Sequence, residues 1–176
     1  MLRRFVSAID TANTWMGNIT LYIIPIMVFV VAYEVVARYV FNKPTIWAME
    51  TSQYLFFASI VLAGGYTLLH GKHVNVDIVH SRLKGRAKAI VDIIAGLLLL
   101  GFIAILIRPT LKATIDSYLY WERAASNWEP LLFPTYTVMT VGVTLIFLQG
   151  LASLIRSFTT AITGVVEESK SLSEEK

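Results

Sequence analysis

Charged residues beside long apolar stretches are the first candidates for chemistry in this sequence. Glu34 and Arg38 lie four residues apart near the end of one apolar stretch, and Glu50 lies just inside the start of the next. Side chains four apart share a face of a helix. A charge within a membrane is costly unless it is paired. We therefore expect these three side chains to meet, with the Arg38 cation between the two carboxylates.

Three interpretations of this charged cluster remain open. It could be an internal clamp that fixes the two helices, a contact with a partner subunit, or part of an ion or proton path. A residue on a transport path typically lies deeper in the membrane. That consideration favours the two structural interpretations.

The histidines and the absence of cysteine limit metal and cofactor chemistry. His70, His73 and His80 lie close together, but only Asp77 stands near them as a further zinc ligand. A haem would need histidines within the membrane. The chain has no cysteine, which excludes disulfides and thiolate sites. Nucleophile-elbow, phosphate-loop and zinc-protease motifs are also absent, so we expect no cofactor, no bound metal and no enzymatic activity.

The elements that hold these residues are four apolar stretches. Hydrophobic residues make up 56% of the chain and charged residues 15%, whereas soluble proteins have about 25% charged residues. A span needs about 20 apolar residues. The sequence predicts an all-α integral membrane protein with four transmembrane helices in one domain, residues 1–166, followed by a disordered charged tail, residues 167–176. The predicted spans are about 15–39, 47–69, 89–108 and 130–155.

The distribution of positive charge predicts the orientation. Ten of the 15 Lys and Arg residues lie at the two termini and in the second connection, and five lie in the first and third. Positive charge favours the cytoplasmic side, so both termini are expected there, and nucleic-acid binding is not expected. Short interfacial amphipathic helices are predicted over Leu2 to Ile9 and from Ile78, with Asp77 as its cap.

The segment after the third span combines charge with aromatic residues. Arg108-Pro109 predicts a kink. Beyond it, Lys112, Asp116 and Arg123 are expected on the same helical face as Arg108, with Trp128 among the interfacial aromatics. This segment is predicted to lie on the outer side of the membrane.

Several short motifs in a fixed order resemble one known family, the small membrane subunit (DctQ type) of TRAP transporters. They are Arg38-Tyr39-Val40-Phe41-Asn42, Trp47-Ala48-Met49-Glu50, and Gly64-Gly65 followed by Gly71-Lys72-His73-Val74-Asn75-Val76-Asp77. The similarity in length and span order covers nearly the whole chain. The resemblance implies a multi-pass protein of a bacterial inner membrane, in contact with phospholipids.

The resemblance also implies two protein partners. A periplasmic binding protein (P type) would capture a small organic acid or related solute. A large membrane subunit (M type) would carry the substrate and sodium sites and move like an elevator, beside a stationary small subunit. Arg38, Trp47 and Glu50, with Glu34, would shape the outer helix ends and the subunit contact, and Gly71, His73 and Asp77 would shape the inner corner.

One docking hypothesis and two rival functions follow. The mixed-charge, Trp-rich segment containing Lys112, Asp116, Arg123 and Trp128 is expected to help receive the binding protein. The first rival is a membrane anchor of a respiratory enzyme complex, and the second is a small carrier that acts alone.

Overall fold

The computed structural model describes residues 2–70 and 86–163. They form four helices: α1 (Leu2–Tyr39), α2 (Ala48–Leu69), α3 (Arg86–Tyr120) and α4 (Phe133–Thr163). Each helix contains a window long and apolar enough to cross a membrane. The prediction of an all-helical protein with four such helices is confirmed.

The amino-terminal part of α1 differs from the sequence prediction. No separate amphipathic helix precedes the first span, because α1 is continuous from Leu2 to Tyr39. Ile9 is buried, and the Asp10 carboxylate pairs with the Arg156 guanidinium of α4. This part of α1 therefore packs against another helix of the chain, and the prediction of a distinct surface helix is wrong.

Helix α3 is longer than predicted because it continues through Pro109 to Tyr120. Proline has no N–H group for the helix ladder, so the Ile105 carbonyl loses its usual donor, but helices in membranes tolerate such a break. The hydroxyl of the next residue, Thr110, donates to the carbonyls of Leu106 and Ile107, each at 2.9 Å. The helix therefore extends about three turns beyond Arg108, where the predicted third span ends.

The helices pack in the order α1, α2, α4, α3, and α1 also touches α4. Helix α4 is thus central among the described elements. Most of the exposed large hydrophobic residues lie on α1 and α3. An apolar exterior is stable against lipid, so these surfaces suit a membrane environment.

Glycines set the close approach between helices. A Cβ added to Gly64 would lie 2.5 Å from Ile146, and one added to Gly96 would lie 2.7 Å from Leu154. Small residues let helix backbones approach closely in membranes. Gly64 and Gly96 are therefore close-packing positions. Gly101 is not, since no atom of the described residues lies within 4 Å of the added Cβ.

The bundle has two distinct ends. At the loop end lie the connections 40–47 and 121–132. At the terminus end lie the start of α1, the end of α4 and the end of α2. Both ends carry polar networks, and these position the candidate functional residues.

Candidate functional site

Glu34 is the centre of a polar clamp at the loop end. The Arg38 guanidinium donates to Oε1 of Glu34 at 3.0 Å and 2.5 Å. The backbone N–H and hydroxyl of Thr45 donate to Oε2 at 3.1 Å and 2.5 Å. The residues at i and i+4 on α1 supply the ion pair, and the 40–47 turn supplies the other two donors. Both carboxylate oxygens of this buried residue are therefore satisfied, and α1 is joined to the turn.

Glu50 does not join this clamp. No ion pair links Arg38 to Glu50 in the described part of the chain, so the expected three-way cluster is wrong. The physical reason is that Thr45, and not a shared cation, satisfies the second oxygen of Glu34. Oε2 of Glu50 instead accepts a hydrogen bond of 2.9 Å from the Ser126 hydroxyl. Glu50 thus connects α2 to the 121–132 connection.

Trp47 lies directly before α2 and stacks on Tyr33, with ring centroids 5.8 Å apart. The stacking holds the entry of α2 against α1. Beside it, the Arg38–Glu34 pair opens into a groove between the two helices with a volume of about 220 Å³. The Arg38 side chain is 43% exposed there. The groove is mostly apolar and contains Ala48, Met49 and Ser52.

The 121–132 connection is a compact hydrogen-bonded loop. Ala124 N donates to Pro130 O at 2.9 Å, and Leu132 N donates to Glu122 O at 3.0 Å. The Arg123 guanidinium donates to the Glu129 carbonyl at 3.1 Å. These bonds fold the loop back on itself at the loop end of the bundle.

The four residues expected to form one docking surface are divided between two elements. Lys112 and Asp116 lie on α3, whereas Arg123 and Trp128 lie in the loop. The expectation that Arg123 shares the helical face is wrong, because α3 ends at Tyr120 and Trp121 takes a φ of 51°. A positive φ in a residue other than glycine breaks helical geometry.

A second polar network at the terminus end was missed by the sequence analysis. Nδ2 of Asn13 donates to Oε1 of Gln149 at 2.7 Å, and Nε2 of Gln149 donates to Oδ1 of Asp10 at 3.0 Å. The Arg156 guanidinium donates to the other oxygen of Asp10. Asn13 and Gln149 are fully buried. Two features of the sequence indicate this network. Asp10 and Asn13 lie three residues apart on α1, and Gln149 is an amide in the uncharged part of α4.

Gly65 makes room for this network. A Cβ on Gly65 would collide with Oδ1 of Asn13, a buried oxygen that has no hydrogen-bond partner among the described residues. The second glycine of the Gly64-Gly65 motif therefore receives a polar side chain of α1, while the first receives Ile146 of α4. One short motif on α2 positions two neighbouring helices.

The inner-corner residues of the sequence analysis lie outside the described residues. They are Gly71, His73 and Asp77, together with His80 and the helix predicted from Ile78. His70 is described, and its Nδ1 lies 2.9 Å from the Tyr66 carbonyl. Within residues 2–70 and 86–163, no group of three or more His, Cys, Asp or Glu side chains could hold a metal ion.

Comparison with protein families gives a match over most of the chain. The family described as "Tripartite ATP-independent periplasmic transporters, DctQ component" matches residues 27–160. The chain belongs to the DctQ family. The matched range includes the Glu34 clamp, α2, α3 and the 121–132 loop, and it begins after Asp10 and Asn13. No curated protein matched the sequence.

Membership in the DctQ family makes the chain the small membrane subunit of a TRAP transporter. Such a subunit works with a large membrane subunit, DctM, and a periplasmic binding protein, DctP. With four helices able to span, it is a multi-pass inner-membrane protein. The family is a transporter component and not an enzyme, and it gives no support to a respiratory anchor.

Proposed function

We propose that this small subunit is the stationary scaffold against which the large subunit moves. The large subunit would carry the substrate and sodium sites and move like an elevator during uptake of a small organic acid or related solute. The observation that carries the proposal is that the two acidic side chains of α1, one near each end, are engaged within the chain. Glu34 is held by Arg38 and Thr45, and Asp10 is held by Arg156 and Gln149.

The packing between helices supports a rigid role. Gly64, Gly96 and Gly142 lie against side chains of neighbouring helices, so α4 is fitted closely to both α2 and α3. Interiors packed in this way resist continuous deformation. A scaffold needs that property, because a neighbour can slide against it only if it keeps its own shape.

The orientation follows from the distribution of positive charge. We propose that the terminus end faces the cytoplasm and the loop end faces the periplasm. Exposed apolar side chains of α1 and α3 would then contact phospholipid chains or the large subunit. The inner corner with Gly71, His73 and Asp77 would lie on the cytoplasmic side.

The 121–132 loop is the proposed contribution to docking of the binding protein. Arg123 and Trp128 are exposed there, and Trp128 retains 38% of its surface. Tryptophan and arginine are enriched in protein interfaces. Lys112 and Asp116 lie on α3 and not in the loop, so the proposed docking contact is limited to Arg123 and Trp128.

A reconstitution with one component omitted at a time tests the function. The two membrane subunits would be co-purified and placed in liposomes, with the binding protein, an organic acid and a sodium gradient outside. Uptake is expected only when all three proteins are present. Uptake by the large subunit and the binding protein alone, at the rate of the complete system, would contradict an essential scaffold.

A second arm separates this function from the rival carrier. Liposomes that contain only this chain are expected to take up no organic acid. Accumulation in those liposomes would establish a small carrier that acts alone. Repeating this uptake measurement with a proton gradient tests whether Glu34 and Arg38 form part of a proton path.

A further inference from the structure

One face of α3 is exposed along nearly its whole length. It is called here the outer face of α3, and its nine residues follow helical spacing. They are Ile94, Leu97, Leu98, Gly101, Ile105, Arg108, Lys112, Ile115 and Leu119. The opposite face is buried against α4 through Leu100, Ile103, Thr110 and Ser117. The outer face is therefore the side of α3 that the described chain leaves uncovered.

Contacts between α3 and α4 fix the depth of Arg108. The hydroxyls of Thr114 and Thr140 lie 2.8 Å apart on one side of it. On the other side, a Cβ on Gly150 would lie 2.9 Å from Leu100. Arg108 is consequently level with the middle of the α4 stretch between residues 140 and 150.

That level lies inside the apolar slab. The same stretch of α4 packs on α2 where Gly142 meets Val61 and Gly64 meets Ile146. The part of α2 from residue 51 to 69 carries no ionisable side chain other than tyrosine. At about 1.5 Å per residue, the level of Arg108 lies about 17 Å from residue 51 and about 10 Å from residue 69. A hydrocarbon core is about 30 Å thick, so Arg108 lies within it and not at its surface.

The charge at this level has no partner within the described chain. Arg108 and Lys112 are both exposed, and no ion pair of either is found in residues 2–70 and 86–163. A charged side chain near the centre of a bilayer is costly and almost always faces a partner or water. Lipid phosphate lies at the membrane surface and is therefore out of direct reach.

We propose that the outer face of α3 seats a transmembrane helix of the large subunit, and that this helix presents a carboxylate to Arg108 and Lys112. The proposal rests on the proposed function and names the surface and the chemistry of the subunit contact. Gly101 supports a helix as the occupant, because the open space beside it permits close backbone approach.

A second copy of this chain fits the surface poorly. A symmetric dimer through the outer face would place Arg108 and Lys112 of one copy near the same cations of the other. Like charges at this depth repel strongly because the dielectric constant is low. The charge of the face thus favours a partner of opposite sign.

Crosslinking identifies the occupant directly. The photoreactive residue p-benzoylphenylalanine would replace Ile105 in the complex of the two membrane subunits. Irradiation is expected to link this position to one transmembrane segment of the large subunit. Phe29, exposed on α1, is the comparison position and is expected to give at least tenfold less of this product. A product at Ile105 that contains only lipid or a second copy would overturn the proposal.

Substitutions test the charge and the space separately. Arg108→Glu and Gly101→Leu are each expected to lower recovery of the large subunit with this chain at least tenfold. Ala32→Leu, at an exposed position on α1, should leave recovery unchanged. Because neither Arg108 nor Gly101 has a partner in the described chain, the purified small subunit should keep its thermal midpoint. Full recovery with both variants would overturn the proposal.

Charge reversal in the large subunit completes the test. One Asp or Glu in its transmembrane segments, changed to Arg, should restore recovery with Arg108→Glu. Failure of every such reversal would count against a carboxylate partner. If the wild-type subunits themselves did not co-purify, the proposed function would fail. If they did and only these variants behaved as wild type, the function would stand and this surface would be excluded.

Discussion

The Ser126 hydroxyl donates a hydrogen bond of 2.9 Å to the Glu50 carboxylate, joining the loop between α3 and α4 to the start of α2. The same hydroxyl accepts a bond from the backbone N–H of Glu129 at 3.3 Å. One serine therefore both shapes the loop and attaches it to the bundle. The loop that we propose for docking is consequently held by the same scaffold that the large subunit would use.

Ser126→Ala should loosen the loop without unfolding the bundle. Loss of the hydroxyl leaves the partly buried Glu50 carboxylate without this donor. We expect several-fold faster hydrogen exchange in residues 121–132, with exchange in α4 unchanged. Asn127→Ala, an exposed neighbour, is the control. Equal exchange in the two variants would show that the Ser126–Glu50 bond does not hold the loop.

Glu34→Ala should lower the thermal midpoint of the purified subunit. The substitution removes both the ion pair to Arg38 and the two hydrogen bonds from Thr45. Thr45→Val removes one donor to Glu34 and the acceptor of the Ala48 N–H, keeps the ion pair, and should have a smaller effect in the same direction. Lys43→Ala, exposed in the same turn, should have none. Thermal unfolding in detergent measures all three midpoints. An unchanged midpoint for Glu34→Ala would show that the clamp does not stabilise the subunit.

Asp10 and Arg156 should be energetically coupled. They pair across α1 and α4, and each side chain is about a quarter exposed, at 27% and 26%. A double-mutant cycle with Asp10→Ala and Arg156→Ala should give a coupling of about 0.5–3 kcal/mol, as for residues in one network. Because the pair is partly exposed, the lower half of that range is expected. If the two substitutions changed the free energy of unfolding additively, the pair would not contribute to holding α1 on α4.

Gly65→Ala should destabilise the subunit, and Gly101→Ala should not. The new methyl at position 65 would collide with Asn13, whereas at position 101 no atom in the described part of the chain lies within 4 Å of it. Overpacking a close contact typically costs about 1–3 kcal/mol. Alanine also favours helix over glycine by about 1 kcal/mol, so Gly101→Ala should be neutral or stabilising in isolation. Equal stability of the two variants would contradict the packing described for Asn13.

The four helices were predictable from the sequence, because the length of an uncharged stretch decides whether a helix can span a membrane. The depth of Arg108 was not, since Arg108-Pro109 looks like the end of a span when α3 is considered alone. Only the register with α4, set by Thr114 and Gly96, places Arg108 inside the slab. Lys112 was therefore assigned to a docking surface outside the membrane, although α3 carries it within the bundle.

The candidate site was predicted in part for a similar reason. The i, i+4 spacing of Glu34 and Arg38 indicated their pair correctly. The Asp10–Arg156 pair joins residues separated by 146 positions, and no local spacing signals it. Glu50 was assigned to the wrong neighbour because the donor, Ser126, comes from a loop whose fold depends on backbone hydrogen bonds.

A distance measurement during transport tests the stationary scaffold most directly. The chain has no cysteine, so Leu21→Cys on α1 and Val141→Cys on α4 allow two spin labels to be placed without background. Double electron–electron resonance would record their separation in the reconstituted complex with and without sodium, substrate and binding protein. The account predicts one unchanged distance distribution, while a label pair between this chain and the substrate-carrying part of the large subunit shifts. A shift of several ångströms between α1 and α4, with the large subunit fixed, would contradict it.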